Sequence, residues 1–171
     1  MSPELLSLIA LLIALTSTVI NYFLLRIQRD PKVIVYAIPD VMRSSIINLI
    51  IENTGKGVAE DVSFKTNRPI PTRSFGFDDA PVPKNMTDGP LVNGIPSFTT
   101  EERRIITWGQ YGGLKKGLGE YILKITMIYY GIPPLRIGRQ KHVTTSSIDL
   151  RSFEGTDASE RNLGKRISEQ L

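Results

Sequence analysis

The hydrophobic pattern divides the chain into an apolar N-terminal segment and a longer part where short apolar runs alternate with polar turns. Residues 5–25 read LLSLIALLIALTSTVINYFLL, without a single charge. At about 1.5 Å per residue, a helix of this length crosses the roughly 30 Å hydrocarbon core of a bilayer. Glu4 precedes the run, and Pro31 soon after it discourages further helix. The pattern predicts a transmembrane helix over residues 5–25, after a short flank of residues 1–4.

Two other interpretations of this segment fit the sequence less well. A cleaved signal peptide needs a basic region before the apolar run and small residues at its cleavage site. Residues 1–4 carry no basic side chain, and residues 22–26 read YFLLR. A buried helix of a soluble domain is also disfavoured, because the uncharged run is long for such a helix. A membrane anchor is therefore the expectation.

The charges that flank the helix predict its orientation. Arg26, Arg29 and Lys32 lie in the juxtamembrane linker of residues 26–32, whereas the N-terminal flank has no Lys or Arg. Because positive charges resist translocation, these topology charges predict a single-pass cell-membrane protein with its N-terminus outside and the rest of the chain in the cytoplasm. An extracytoplasmic position for the rest of the chain stays open as the alternative.

One stripe of the predicted helix is rich in small and polar residues. Its members recur at spacings of three and four, which places them on one face: Ser7, Ala10, Ala14, Ser17 and Asn21. Small side chains allow close approach of a second helix, and Ser and Asn can hydrogen-bond across the contact. This seam predicts association with a protein partner or with a second copy. Chance is the alternative, because Thr16 and Thr18 are polar and lie off the seam.

The part after the anchor has the patterns of β-strands. Residues 45–52, SIINLIIE, place Ile47, Leu49 and Ile51 on one face. A turn at 53–57, NTGKG, follows, in which Asn and Gly are expected to supply positive φ. The predicted strands are 33–38, 45–52, 59–65, 103–108, 121–130 and 143–150.

Short strands between turn signals predict a mainly β fold, a single antiparallel β-sandwich over residues 33–153 behind the transmembrane helix. Within it, residues 69–99 form a long proline-rich connection whose apolar residues either pin it to the sandwich or bind a partner: Phe75, Phe77, Leu91 and Val92. The tail at 154–171 is a candidate helix, because Leu163, Ile167 and Leu171 share one stripe.

The segment 47–64, INLIIENTGKGVAEDVSF, resembles the first hairpin of bacterial Ig-like sandwich domains of the cell-adhesion-related type. The matching hairpin signature is a strand, a turn and a Val-x-Phe strand, carried by Asn53, Gly55, Ala59, Val62 and Phe64. The resemblance implies an Ig-like sandwich. In it the turn residues reverse the chain, the alanine allows close packing, and the last two residues fill the core.

Composition removes several classes of function. The absence of cysteine excludes a disulfide scaffold, a thiolate metal site and a cysteine nucleophile. A single histidine, His142, excludes a multi-histidine metal site, and without a nearby acid it is interpreted as a surface residue. The net charge of +4 is too small for a nucleic-acid-binding arm. No catalytic, cofactor or metal site and no small-molecule substrate is predicted.

Other motifs have ordinary explanations. The glycine-rich stretch 112–119 lacks the spacing of a phosphate loop and is interpreted as a flexible connection. Asp78, Asp79 and Asp88 lack a calcium-loop pattern. Asn85 begins a glycosylation sequon that would be unused in the cytoplasm. The basic pairs 103–104 and 115–116 and the basic stretch 136–141 could touch anionic headgroups if they lie near the membrane.

Three classes of function follow from these observations. The first is a non-enzymatic membrane-anchored interaction module, an accessory or scaffolding component that binds proteins. The second is a membrane-tethered sandwich that binds carbohydrate or lipid through its aromatic residues, which are Trp108, Tyr111, Tyr121, Tyr129 and Tyr130. The third, an enzyme, finds no supporting constellation of residues. The sequence favours the first class.

Overall fold

The structure is a computed structural model that describes residues 2–43, 45–76, 81–132 and 138–155. Several sequence predictions fall outside these ranges. They are the helical tail from residue 156 to 171, the apolar residue Phe77, the acidic pair Asp78 and Asp79, and part of the basic stretch, 136–137.

The apolar N-terminal segment forms one helix, α1 (Pro3–Arg29). The Ser2 hydroxyl caps its start by accepting from the Leu5 N–H at 3.4 Å. The helix ends at Asp30, whose backbone is already extended, before Pro31. It is long and apolar enough to span a membrane over Pro3–Leu25, and none of its most apolar window is buried by the described remainder of the chain. The predicted helix is confirmed and continues one turn past Leu25.

The rest of the described chain is mainly β, with antiparallel pairing throughout its ladders. The strands lie close to the predicted segments because β-branched residues dominate them. They are β1 (Val33–Pro39), β2 (Ile46–Asn53), β3 (Ala59–Thr66), β4 (Pro71–Thr72), β5 (Lys84–Asn85), β6 (Ile95–Phe98), β7 (Arg103–Gln110), β8 (Ile122–Gly131) and β9 (Gln140–Asp149).

The long strands form two sheets of order β1-β2-β7 and β6-β3-β8-β9. In the first, Tyr36, Ile50 and Ile105 lie side by side across the three strands. In the second, β8 pairs with β9 over its whole length, from Ile122 opposite Asp149 to Gly131 opposite Gln140. The pair β4-β5 stands apart as a two-stranded ladder.

Both sheets contribute to one hydrophobic core. Leu49 and Trp108 come from the first sheet, and Phe98, Leu123 and Met127 come from the second; all five are completely buried. Strand β2 is buried on its outer face as well, because Ile50 lies between β1 and β7 and is only 2% exposed. The residues of β2 that the sequence pattern places on its outer face therefore have a more apolar environment than a solvent-facing strand would give them.

Two predictions about connections are wrong. The stretch 112–119 is not a flexible connection but most of a helix, α3 (Tyr111–Leu118), that ends at Gly119 with φ of 67°. Leu114 and Leu118 are buried four residues apart, so core packing outweighs the poor helix propensity of three glycines.

The connection 69–99 contains structure of its own, including helix α2 (Pro90–Asn93) and the edge strand β6. Leu91 is 4% exposed and pins this segment to the core, whereas Phe75 and Val92 are 45% and 49% exposed. A four-residue strand that contains Pro96 lies at a sheet edge, where a missing N–H is tolerated. The burial of Leu91 agrees with the interpretation that this connection is pinned to the sandwich, and binding of a partner by the connection stays a prediction.

Candidate functional site at the junction of helix and sheets

The linker between α1 and β1 is three residues long and is hydrogen-bonded to the β domain. The Lys32 N–H donates to Oδ1 of Asn53 at 3.0 Å. The Lys32 carbonyl accepts from the Thr54 N–H at 2.9 Å and from the Thr54 hydroxyl at 3.2 Å. The Tyr129 hydroxyl lies 3.5 Å from the Pro31 carbonyl oxygen. The end of the helix is therefore held against the sheets by its own backbone.

Asn53 is the centre of this junction and is completely buried. Its amide nitrogen donates to the carbonyls of Gly57, Phe98 and Thr99 at 2.8, 3.0 and 3.1 Å. Its amide oxygen accepts from the Gly55 N–H at 3.1 Å as well as from the linker N–H described above. An amide side chain offers two N–H donors, which the three carbonyls share, and an oxygen that accepts from the N–H groups at the same time.

Glycines bring the junction into backbone contact. A Cβ atom on Gly57 would overlap the carbonyl oxygen of Arg29, and one on Gly55 would overlap the linker backbone. A Cβ on Gly131 would lie 2.9 Å from Cδ of Pro31. No side chain fits at these three positions without displacing the linker.

The hairpin signature has a different physical basis from the predicted one. Neither Asn53 nor Gly55 has positive φ, so the prediction that they reverse the chain in that way is wrong. They are required because they bind and contact the linker. Ala59 and Val62 are buried and Phe64 packs against the core, as the sequence predicts. Ala59 and Val62 differ by three positions, and a β-bulge with Asp61 at φ of 50° allows both to point inward.

His142 packs beside the junction and is half-buried, which corrects its interpretation as a surface residue. Its ring stacks on Tyr129 with centroids 5.5 Å apart and planes 8° from parallel. Its Nε2 atom is buried without a hydrogen-bond partner among the described residues and would lie 3.0 Å from a Cβ on Gly131. The geometry is that of a packing residue next to the linker.

Ion pairs surround the junction end of the sheets. Nη2 of Arg103 lies 2.9 Å from Oε1 of Glu52, and the Tyr36 hydroxyl donates to Oε2 of Glu52 at 2.5 Å. The hydrogen bond from Arg103 lowers the pKa of Glu52. Partial burial, followed by the bond to the carboxylate, raises the pKa of Tyr36. Arg104, which follows Arg103 in β7, pairs with Glu102.

The predicted basic segments lie at two ends of the β domain. Arg139 is at the junction end and pairs with Glu60 and Asp61 at 2.6 and 2.9 Å. The lysines at 115 and 116 lie on α3, which follows the opposite end of β7. Among the described residues, no acidic side chain pairs with Lys32, Lys56 or Lys141, which are all exposed at or beside the junction.

The helix seam is exposed along its whole length, as are most other faces of α1. The Ser7 hydroxyl donates to the Glu4 carbonyl at 2.8 Å. Off the seam, the hydroxyls of Thr16 and Thr18 donate to carbonyls one turn earlier, also at 2.8 Å. These threonines need no partner in lipid because their own helix satisfies them. Among the topology charges, Arg29 and Lys32 are exposed, and the side chain of Arg26 is not described.

Only some of the aromatic residues that a carbohydrate site would use lie outside the core. Trp108 and Tyr129 are 0% and 1% exposed within the core. Tyr121 lies under Lys115 and Arg151 in cation–π contacts with distances of 5.1 and 5.8 Å to its ring centroid. A shallow groove beside α3 is lined in part by Tyr111. Within the described ranges, no group of three or more His, Asp or Glu residues is arranged to hold a metal ion.

The sequence predicts roles for Asn53, Gly55 and the linker charges, but it does not predict that Asn53 and Gly55 contact the linker. Gly57 is predicted only as part of the turn 53–57, and Gly131 is not part of any predicted site, because nothing in a sequence marks a glycine that meets a distant backbone. A usable signal was the short Pro31-containing linker, which leaves little freedom between helix and strand.

Comparison with known proteins gives one family. The family described as a domain of unknown function (DUF8453) has a model that matches residues 4–154. The match includes the apolar helix from its second residue, the linker and the nine strands found in the described ranges. No curated protein and no solved structure matches the chain.

Proposed function

We propose that this chain, which belongs to the DUF8453 family, is a non-enzymatic single-pass membrane protein that presents its β domain as an accessory or scaffolding interaction module. The observation that carries the proposal is the junction. A tether that only retained a domain would not need a buried amide and three glycines to fix the linker. The fixed linker favours a role in which the domain is presented in a defined orientation at the membrane.

The β domain is proposed to be an Ig-like sandwich. Its sheet orders, β1-β2-β7 and β6-β3-β8-β9, correspond to strands A-B-E and C′-C-F-G of that fold. The shared core and two hydrogen bonds between sheet edges support face-to-face packing. These bonds join Ser146 Oγ to the Val35 N–H at 3.0 Å and the Thr144 hydroxyl to the Val33 carbonyl at 2.7 Å. The buried tryptophan departs from antibody domains, because Trp108 lies on β7 rather than β3.

The membrane orientation is proposed from charge. Arg26, Arg29 and Lys32 follow the apolar span, so the N-terminus is outside and the β domain is cytoplasmic. The exposed Asn85 sequon makes this testable without altering the chain. Translation into microsomes should leave Asn85 unmodified, and a glycosylated product would reverse the orientation.

The partner is proposed to bind in part through the helix seam, either as a second copy or as another membrane protein. The relevant feature is the stripe of Ala10 and Ala14, where small side chains permit close helix approach. The argument for chance is that Thr16 and Thr18 are polar but lie off the seam. Their hydroxyls donate to carbonyls of their own helix, so their position does not count against the seam.

The test is capture of the tagged full chain from detergent-solubilised membranes. Wild type should recover a defined protein partner or a second copy, and the double substitution Ala10→Leu and Ala14→Leu should reduce that recovery. The matched control is Leu8→Phe with Leu12→Phe, which adds the same number of carbon atoms on the opposite face. Retention of a glycan or lipid with no protein would contradict the proposal and favour the ligand-binding alternative.

A further inference from the structure

The junction end of the β domain lies within a few ångströms of the end of the apolar span. The span ends at Leu25, and α1 continues to Arg29, which is about 6 Å further along the helix axis. The headgroup region on each side of a bilayer is roughly 5–8 Å thick. Because Gly57 contacts the Arg29 carbonyl oxygen, the β2–β3 turn is held at the depth of the headgroups rather than beyond them.

The surface at this end combines exposed apolar and cationic side chains, and we call it the junction surface. Val58 and Ile132 are 38% and 47% exposed. They adjoin Gly57 and Gly131, the two glycines that contact Arg29 and Pro31. The cationic members are Lys32, Lys56 and Lys141.

Acidic residues at the same end are mostly occupied by arginines. Glu52, Glu60 and Glu102 each pair with an arginine, and Asp61 shares the guanidinium that binds Glu60. Asp30 and Glu101 belong to the same end and pair with no arginine among the described side chains, so they reduce the net positive charge there. Depth and apolar exposure therefore carry the inference, and the three lysines define where phosphate groups would bind.

We propose that the junction surface rests on the bilayer, with Val58 and Ile132 in the interfacial layer and Lys32, Lys56 and Lys141 bound to lipid phosphates. This contact rests on the proposed membrane anchorage and goes beyond it. It makes the β domain a peripheral membrane-binding surface as well as a tethered one. The occupant is lipid rather than protein, because the linker leaves no room for a folded partner between the turn and the span.

Single labels can measure the depth of this surface, because the chain has no cysteine of its own. The full chain in nanodiscs receives a bimane label at Leu15→Cys, Val58→Cys or Val41→Cys. Val41 is 77% exposed in the β1–β2 loop, which lies about 20 Å from the junction along β1. Spin labels on lipid acyl chains should quench the Leu15 site, and spin labels on headgroups should quench the Val58 site but not the Val41 site.

The outcomes separate this inference from the anchor proposal. A quenched Leu15 label with a Val58 label as bright as the Val41 label would overturn the surface contact and leave the anchor in place. An unquenched Leu15 label would overturn both proposals. Circular dichroism of each labelled variant should match that of wild type, which ensures that quenching is compared between folded chains.

A separate experiment tests the contacts of the lysines with lipid phosphates. In nanodiscs containing phosphatidylglycerol, Lys56→Glu with Lys141→Glu should reduce quenching of the Val58 label by roughly two-fold relative to the unchanged lysines. The control is Lys84→Glu with Lys116→Glu, which makes the same change in charge on exposed residues near α3. Equal quenching in both double variants would overturn the contact of these lysines with lipid phosphates.

Discussion

The substitution Asn53→Ala is expected to destabilise the β domain more than any ordinary surface change. It removes the hydrogen bonds of 2.8–3.1 Å by which a completely buried amide contacts five backbone groups, three of which are carbonyls that share its two N–H donors. A typical bond of this kind contributes about 0.5–1.5 kcal/mol, and a buried group left unpaired costs about 1–3 kcal/mol. Water can reach the exposed Lys32 side of the junction, and the Thr99 carbonyl keeps its bond from the Glu102 N–H. The expected loss in free energy of unfolding is therefore about 3–4 kcal/mol.

Trp108 provides the assay, because it is the only tryptophan and is completely buried between the sheets. Urea unfolding of the full chain in micelles, followed by Trp108 fluorescence, should show a lower midpoint for Asn53→Ala with an unchanged slope. Domains of this size have a total stability of roughly 5–15 kcal/mol, so the variant should still fold.

The matched control is Asn93→Ala, which makes the same chemical change at an exposed position of α2. It should change the free energy of unfolding by less than about 0.5 kcal/mol. If Asn53→Ala loses no more than Asn93→Ala, the amide does not hold the junction and the reasoning fails. Asn53→Asp adds a test of the direction of the pH effect. Its second carboxylate oxygen faces three carbonyl oxygens, so the substitution should destabilise the domain more at neutral pH, where the carboxylate is charged, than at low pH.

Three further changes test other parts of the structure. Gly57→Ala places a methyl group on the linker backbone and should cost about 1–3 kcal/mol in urea unfolding. Asp40 has its pKa lowered to about 2, chiefly by a hydrogen bond from Asn48, so its stabilisation should be present above about pH 4 and lost as the pH falls towards 2. The stability difference between wild type and Asp40→Asn should shrink in that interval. The pair Ala10→Leu and Ala14→Leu should lower the signal of a transmembrane-association reporter.

Each of these changes has a control in the same chain. Gly112→Ala lies in α3, where a Cβ meets only ordinary contacts of 3.5 Å or more, and should be neutral or stabilising. Asp88→Asn makes the same chemical change at an exposed residue and should leave the free energy of unfolding at neutral pH unchanged, whereas Asp40→Asn should lower it. Leu8→Phe with Leu12→Phe should keep the association signal. If a variant and its control give the same free energy of unfolding or the same association signal, the contact proposed for that variant is contradicted.

The sequence was sufficient for the elements whose pattern is local. The uncharged run ending at Leu25 and the β-branched segments around Leu49 and Ile125 mark elements close to their observed bounds. Helix α3 was missed because three glycines obscured the four-residue spacing of Leu114 and Leu118. Its stability comes from burial, which local propensity does not contain.

The junction could be predicted only in part, for a physical reason. Asn53 is an ordinary turn residue by type, but its partners include Lys32, 21 positions before it, and Thr99, 46 positions after it. A single sequence contains no signal that these backbone groups converge. The register of β2 against β1 and β7 is what brings them together, and that register depends on packing of both sheets.

The three-residue linker between α1 and β1 has a consequence for how this chain tolerates change. Each added helical residue turns the helix by about 100° about its own axis. The backbone N–H and carbonyl of Lys32 both bond to the β domain. A one-residue insertion in the last turn of α1 would therefore rotate the Ala10–Ala14 face about the helix axis relative to the β domain. A substitution in the same turn would leave the rotational position of that face unchanged. The chain length between seam and sheets is therefore constrained more tightly than the identity of the residues that fill it.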